Sequence, residues 1–428
     1  MNYPSSILDQ VETMRDTFSV EDEQTPSSLG FFHGNLAVIA ASSAAKGFGG
    51  QIISTYIPIY FLFLGGNPLT LGLMTAITSL IQCIMLFLGG FIADYYGRRK
   101  IIVLIAFYSI IFPLLYALTR DWRIFVALSV AGVLGILSDP ASQAIVADSV
   151  PPEKRTTGIA SLQVVSSLPL MIAPVIGGWL IQNMGLPDGF RLACMYAAAT
   201  AFTSALIVFL FLKETLQHNP VAEYDFSNSG KLRNLLKLPR SLPNGLKALI
   251  TSYALVAFAN GVVGQYYILY AYDVIGITAV EWGVIVSLQL LLANILKVPG
   301  GWLSDKFGKK RIMTISVLTC APCAILFTLS QSFFHALIVA LLLIVTGIYY
   351  LPAHMALQSD LTPRRMRGRI TALFGIISAL SAASGSLIGG FLFQSVNPAT
   401  PFYLFTGAEL TATFFLISIL QEPAKKEV

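Results

Sequence analysis

Gly90-Phe-Ile-Ala-Asp94-Tyr-Tyr-Gly97-Arg98-Arg99-Lys100 returns later in the chain as Gly301-Trp-Leu-Ser-Asp305-Lys-Phe-Gly308-Lys309-Lys310-Arg311, 211 residues on. Gly65 with Gly276 and Gly72 with Gly283 keep the same offset. Further along, Pro140, Ala141, Ala144, Asp148, Pro151 and Arg155 recur as Pro352, Ala353, Ala356, Asp360, Pro363 and Arg367, and Gly177-Gly178 as Gly389-Gly390, now 212 residues apart. Chance does not align so many Gly, Pro, Asp and Arg positions, so the chain is a duplicated unit.

Both copies of the motif sit between long apolar blocks. Of the 428 residues, 55% are apolar and 11% charged, and mean hydropathy is +0.72. Soluble domains carry roughly 25% charged residues, so a soluble enzyme, a disordered chain and a DNA-binding protein are excluded. Hydropathy predicts twelve spans, near 35–63, 68–93, 101–118, 124–148, 157–183 and 191–212, then 246–273, 279–303, 312–330, 335–359, 370–393 and 400–420. The expected fold is an all-α polytopic membrane protein with two pseudo-symmetric six-helix bundles. Its divisions are a polar segment at 1–33, a first bundle at 34–212, a linker at 213–245, a second bundle at 246–421 and a tail at 422–428. Six is an even number, so both bundles enter the membrane in the same sense.

Charge sets the orientation. Of 27 Lys and Arg residues, 22 fall on the side of the motif; Arg120, Arg123 and Arg191 fall on the other, and Lys46 and Lys297 lie within spans. The bias places both termini and the linker in the cytoplasm, as for a plasma (inner) membrane protein, without implying a nucleic-acid partner. Residues 1–30 are acidic and lack an apolar core, so the first span is expected to act as the insertion signal. In the linker, 231–240 alternates Leu232, Leu235 and Leu236 with basic residues, which suits either an interfacial helix on anionic lipid or a solvated segment. Cys83, Cys194, Cys320 and Cys323 lie in apolar segments and make no disulfide framework. No metal cluster, phosphate loop or nucleophile–base motif is present, so neither a cofactor nor an enzyme activity is expected.

Gly-x-x-x-Asp-x-x-Gly-Arg-Arg between the second and third spans, its weaker copy between the eighth and ninth, twelve spans and a long middle loop together resemble the major facilitator superfamily, over nearly everything after residue 33. Physically, Gly90 and Gly301 allow helices to approach, Asp94 and Asp305 can accept from a helix N-terminus, Gly97 and Gly308 permit a tight turn, and Arg98, Arg99, Lys309 and Lys310 meet anionic headgroups. The resemblance implies that these groups, with Asp148, Arg155, Asp360 and Arg367, latch the two bundles together when the cytoplasmic side is closed; topology determination alone is the other reading. Subtype elements are incomplete. The fifth span reads Ala173-Pro174-Val-Ile-Gly177-Gly178 without the upstream glycines of drug–proton antiporters, and Lys213-Glu-Thr-Leu replaces the element sugar porters carry after span six.

A charge inside a span costs at least ~2.5–3.5 kcal/mol. Lys46 stands eleven residues into the first span, roughly 16 Å deep, beside Gly47-Phe-Gly49-Gly50, which could loosen the helix. Asp139 precedes Pro140 in the fourth, with Gln143 one turn on. Asn260, Gln265 and Tyr267 in the seventh span, and Tyr350 and His354 in the tenth, complete the candidate cavity, since the resemblance places spans one, four, seven and ten around it. Lys297 lies eight residues above Asp305, suited to pair with that loop or with a cavity anion, and Glu409 midway along the twelfth span is either a proton carrier or a packing carboxyl. Cys320-Ala-Pro-Cys323 reads as a kink with two packing thiols.

The reading is a monomeric secondary transporter moving a small organic solute by alternating access, with proton-coupled, multidrug-like export in first place. An organic-anion or sugar-type importer or uniporter stands as the alternative, and a non-transporting receptor on the same fold as a different class. The partners expected are the small-molecule substrate, protons and membrane lipids.

Overall fold

The computed structural model describes residues 34–150, 155–216, 242–362 and 366–420. Every regular element among them is helical. Span one is α1 (Asn35–Ser54) and α2 (Ile57–Phe63), span two α3 (Pro68–Tyr96) and span three α4 (Arg98–Leu118). Span four joins α5 (Trp122–Gly132) to α6 (Asp139–Ser149) through a 3₁₀ stretch, Val133–Ser138. Span five is α7 (Arg155–Ser167) and α8 (Ala173–Met184), and span six is α9 (Leu186–Phe211). Span seven is α10 (Asn244–Val263), α11 (Tyr266–Tyr270) and a π-helical turn at Ala271–Ile275. Then follow α12 (Ala279–Phe307), α13 (Lys309–Thr328), α14 (Phe333–Gly347) with α15 (Tyr350–Leu361) as span ten, α16 (Arg367–Ser395) and α17 (Thr400–Ser418). Eleven spans are long and apolar enough to cross a membrane by length and composition. The twelfth helical pass, α17, is 19 residues long with Glu409 near its centre.

The duplication extends to details that residue identity hides. Asn67 and Thr70 form a capping box at the start of α3. Thr278 and Glu281, at the corresponding positions, form one at the start of α12 with different side chains. Both boxes satisfy N–H groups that the first turn leaves without partners. Gly97 (φ 96°) and Gly308 (φ 91°) turn the chain between paired spans in a conformation that only glycine adopts readily. The motif is therefore not the loop expected from sequence. Gly90–Tyr96 completes α3, and Gly97 alone separates it from α4.

Two further expectations are corrected. Gly47–Gly50 does not loosen the first span: α1 runs through it, and Gly49 is buried where a Cβ would lie 2.7 Å from the Ala197 Cα of span six. The break comes later, between Ser54 and Ile57. The close approach credited to Gly90 belongs to its neighbour. A Cβ on Gly89 would lie 2.7 Å from the Leu137 carbonyl of span four, whereas Gly90 faces open space. In the second half Gly300 fits against the Tyr349 ring, while the side-chain surroundings of Gly301 and Asp305 lie outside the described residues. The linker motif at 231–240 lies outside them too.

The halves meet through spans two and eleven and spans five and eight. At the end away from the motif, Tyr56 donates to the Pro174 carbonyl (2.6 Å) and, across the halves, to the Ala279 carbonyl (3.0 Å). Tyr266 mirrors it, donating to the Ser386 carbonyl (2.9 Å) and across to the Pro68 carbonyl (3.3 Å). Ser386 donates to the Gly72 carbonyl (3.1 Å), and Gln394 accepts from the Leu69 N–H (3.2 Å). Gly72, Gly178, Gly283 and Gly390 surround the two hydroxyls where any Cβ would collide with them.

Candidate functional site

At the motif end, side chains pair inside each half. Arg98 forms an ion pair with Asp148 and a looser one, 3.8 Å, with Asp94, whose side chain is 70% exposed. Lys309, in the place of Arg98, pairs with Asp360. The next basic residue anchors the sixth span of its half: Arg99 donates to the Phe209 and Leu212 carbonyls, and Lys310 to the Ile417 and Leu420 carbonyls. These groups satisfy carbonyls at a helix C-terminus, where a cation is also favoured by the dipole. The carboxylate that accepts from the N-terminus of α4 is not Asp94, as the motif suggested, but Glu214, which takes the Arg99 N–H at 2.9 Å. The trace Glu214 leaves in the sequence is slight, an acid one residue past Lys213 at the end of span six. No ion pair among the described residues joins the halves. Arg367 is exposed, and the side chain of Arg155 is outside the described residues.

Within the spans, Ser43, Lys46, Gly50 and Ser54 are all exposed and recur at helical spacing, forming one open stripe on α1. Asp139 and Gln143 form another on α6, and Asn260 with Gly264 a third on α10. A lysine and an aspartate at this depth are too costly to face lipid, which makes these stripes the candidate lining of a wet cleft. Lys46 and Asp139, both of the first half, lie within electrostatic reach of each other. They form no ion pair within 4.0 Å, so the contact expected of them is replaced by two separate charges on one wall. Gln265 is half-buried behind Asn260, which turns its amide back to the Val256 carbonyl (2.8 Å).

Of the residues assigned to the cavity from the second half, Asn260 is exposed and Gln265 half-buried, but Tyr267, Tyr350 and His354 are turned inward. Tyr350 is 7% and His354 2% exposed, and the Tyr267 ring sits edge-on between Phe327 and Phe402, each 5.0 Å away, with its hydroxyl buried. His354 stacks on Tyr253 at 4.3 Å. On α15 the open stripe is instead Leu351 and Met355. The repeat offset carries Asp139 and Gln143 onto these two residues, and the expected Tyr350 and His354 lie one residue away, about 100° round the helix. The exposed stripes of the first half are thus charged and polar, and those of the second half carry Leu351, Met355 and Asn260. Lys297 is exposed lower on α12, donating to Asn294 (3.3 Å), which also accepts across the halves from Ser167 (3.0 Å). The described residues hold no group of side chains suited to a metal ion.

A family profile described as "Major Facilitator Superfamily" matches residues 39–278 and again 249–428. The chain is 27% identical over 358 residues to "Multidrug resistance protein MdtG" of Yersinia enterocolitica, covering 81% of this chain and 83% of the relative. It is 25% identical over 375 residues to "Multidrug resistance protein 2" of Bacillus subtilis, covering 87% and 91%. A solved bacterial homologue of the human lysosomal transporter Spinster superimposes with a TM-score of 0.69 at 17% identity, over 92% of this chain and 95% of the other, which shows the fold.

Proposed function

From the premise that the chain belongs to the major facilitator superfamily and is a secondary transporter, not an enzyme, we propose that it exports amphipathic organic molecules from the cell by alternating access, driven by proton entry. The observation that carries this reading is the unlike pair of cleft walls. Lys46, Asp139 and Gln143 on one side can meet a charged or polar group, and Leu351 and Met355 on the other can take an apolar body. Methionine adapts its shape at low cost, which suits a site for many ligands rather than one. The names of the multidrug relatives are in keeping with it.

The cross-half clasp around Tyr56 and Tyr266 lies at the end away from the basic loops. With those loops in the cytoplasm by the charge bias, the present state is open inward, and the motif-end charges wait to latch the halves when that side closes. Lys46 forms no ion pair among the described residues, which favours organic anions as a second reading. Reconstituted protein tests both. Counterflow of a labelled lipophilic cation and of a labelled aromatic carboxylate, each with and without an imposed pH gradient, assigns the substrate charge and the coupling. Absence of counterflow for every probe would overturn the transport reading.

A further inference from the structure

The two bundles share a fold but not their buried polar groups. At the ends of the sixth and twelfth spans Phe209 and Leu212 correspond to Ile417 and Leu420, an offset of 208. By that offset Glu409 of α17 stands where the first bundle has Ala201. Both positions are buried, Glu409 at 3% and Ala201 at 6% exposure, so the packing of the bundle does not call for a carboxyl there. By its neighbours' offsets Tyr267 replaces Ile57 and His354 replaces Ser142. The second bundle therefore holds a polar core that the repeat did not require.

Span twelve packs on spans seven, nine and eleven. From span seven Tyr267 lies within electrostatic reach of Glu409, from span nine Cys320, and from neighbouring span ten Tyr350, against which His354 stacks at 5.8 Å. Cys323 adjoins Tyr267, and span eleven has no titratable residue between Ile370 and Ser395. No Lys or Arg pairs with Glu409 among the described residues. Near it the Tyr267 hydroxyl is buried without a hydrogen-bond partner and the Tyr350 hydroxyl is next to Ser252; beyond Tyr350, both His354 ring nitrogens are buried without a partner. Buried hydroxyls and a buried imidazole next to one another can both donate and accept a proton.

We propose that this cluster is a proton site of the second bundle, with Glu409 carrying the proton and the Tyr350–His354 stack forming its connection towards the motif end. The site is separate from the substrate cleft, where Lys46 and Asp139 lie on the first bundle. A buried carboxylate without a cation is costly, and a proton added to its oxygen removes that cost. The proton arrives from water on one side and leaves to water on the other, with no other bond made or broken.

The proposal rests on proton-driven transport, and two experiments separate its failure from the failure of that reading. In wild-type protein, dicyclohexylcarbodiimide, which attacks protonated carboxyls in apolar surroundings, is expected to label Glu409 in acidic buffer and to lose that label as pH rises, read by peptide mass spectrometry. No label at any pH, or a label independent of pH, overturns the site whatever the protein transports. In proteoliposomes, Glu409→Gln is expected to keep counterflow of a lipophilic cation and to lose accumulation driven by a pH gradient, while Glu409→Asp retains part of it. Gradient-driven accumulation by Glu409→Gln at the wild-type rate overturns the proposal. A wild type with counterflow but no response to pH refutes proton coupling instead, and the labelling still decides whether Glu409 titrates.

Discussion

Tyr56 and Tyr266 are one device used twice. Each hydroxyl donates to a carbonyl of its own half, Pro174 or Ser386, and to one of the opposite half, Ala279 or Pro68. The tyrosines are 210 residues apart, yet the glycines that follow, Gly65 and Gly276, are 211 apart. The π-helical turn at Ala271–Ile275 lies between Tyr266 and Gly276 and accommodates the one extra residue. Direct alignment at 211 pairs Tyr56 with Tyr267, which is why the clasp was invisible in the sequence.

The clasp should set the balance between states. Removing both hydroxyls with Tyr56→Phe and Tyr266→Phe costs the present state about 1 kcal/mol for each hydrogen bond lost. Each hydroxyl shares its single proton between two carbonyls, and only the contact to the opposite half is broken on opening, so two bonds are at stake and the population shifts by roughly tenfold or somewhat more towards closure at the motif end. Spin labels on cysteines replacing Arg120 and Gln331, in loops at the clasped end of each half, should show a longer-distance population in the double variant. An unchanged distance distribution would mean that the hydroxyls do not hold this end together.

Gly89 and Gly90 make opposite predictions for the same substitution. Ala at 89 must push its Cβ into the Leu137 carbonyl, whereas Ala at 90 meets nothing within 4 Å. Overpacking of this kind costs typically 1–3 kcal/mol. Thermal melts in detergent should therefore show Gly89→Ala destabilised and Gly90→Ala at the wild-type Tm. The reverse order would return the close contact to the motif's own glycine.

What the sequence disclosed followed from the kind of signal each feature leaves. The spans were legible because length and apolarity suffice, and the duplication because Gly, Pro, Asp and Arg are held by turns and ion pairs. Helix rotation was not legible. Spans that are apolar all round show no amphipathic face, so Tyr350 and His354 could be placed on the cleft when Leu351 and Met355 occupy it. Glu214 was missed because its role, an acid at the N-terminus of a helix distant in sequence, exists only once the spans are packed.

Asp94 and Asp148 separate gating from stability. Asp94 is 70% exposed and touches Arg98 only at 3.8 Å, a geometry worth about 0–1 kcal/mol. Asp148 pairs closely with an Arg98 side chain that is 15% exposed. Asp94→Asn should keep the wild-type Tm and lose transport, because its carboxylate is needed only when the motif end closes. Asp148→Asn should lower both. Normal transport rates for reconstituted Asp94→Asn would remove the latch role from the motif aspartate.

Lys46 and Asp139 should behave as two binding charges and not as one structural pair. Neither is within 4.0 Å of an opposite charge, and both are open to the cleft. Replacing one therefore does not strand the other in a dry interior, as it would in a buried pair. In a cycle of Lys46→Ala, Asp139→Ala and the double variant, the stability coupling should stay below about 1 kcal/mol, as for exposed pairs. Ligand binding should respond more sharply. A cation held by Asp139 gains a charge-assisted contact of about 1.5–3 kcal/mol, so Asp139→Asn should weaken it by roughly ten- to a hundredfold. Lys46→Gln should leave the cation bound or tighten it, because a repelling charge is gone, and should weaken an aromatic carboxylate. Calorimetric titration of both ligands into the four proteins measures these terms. A stability coupling of several kcal/mol would restore the buried pair, and cation affinity indifferent to Asp139→Asn would take the binding site away from this wall of the cleft.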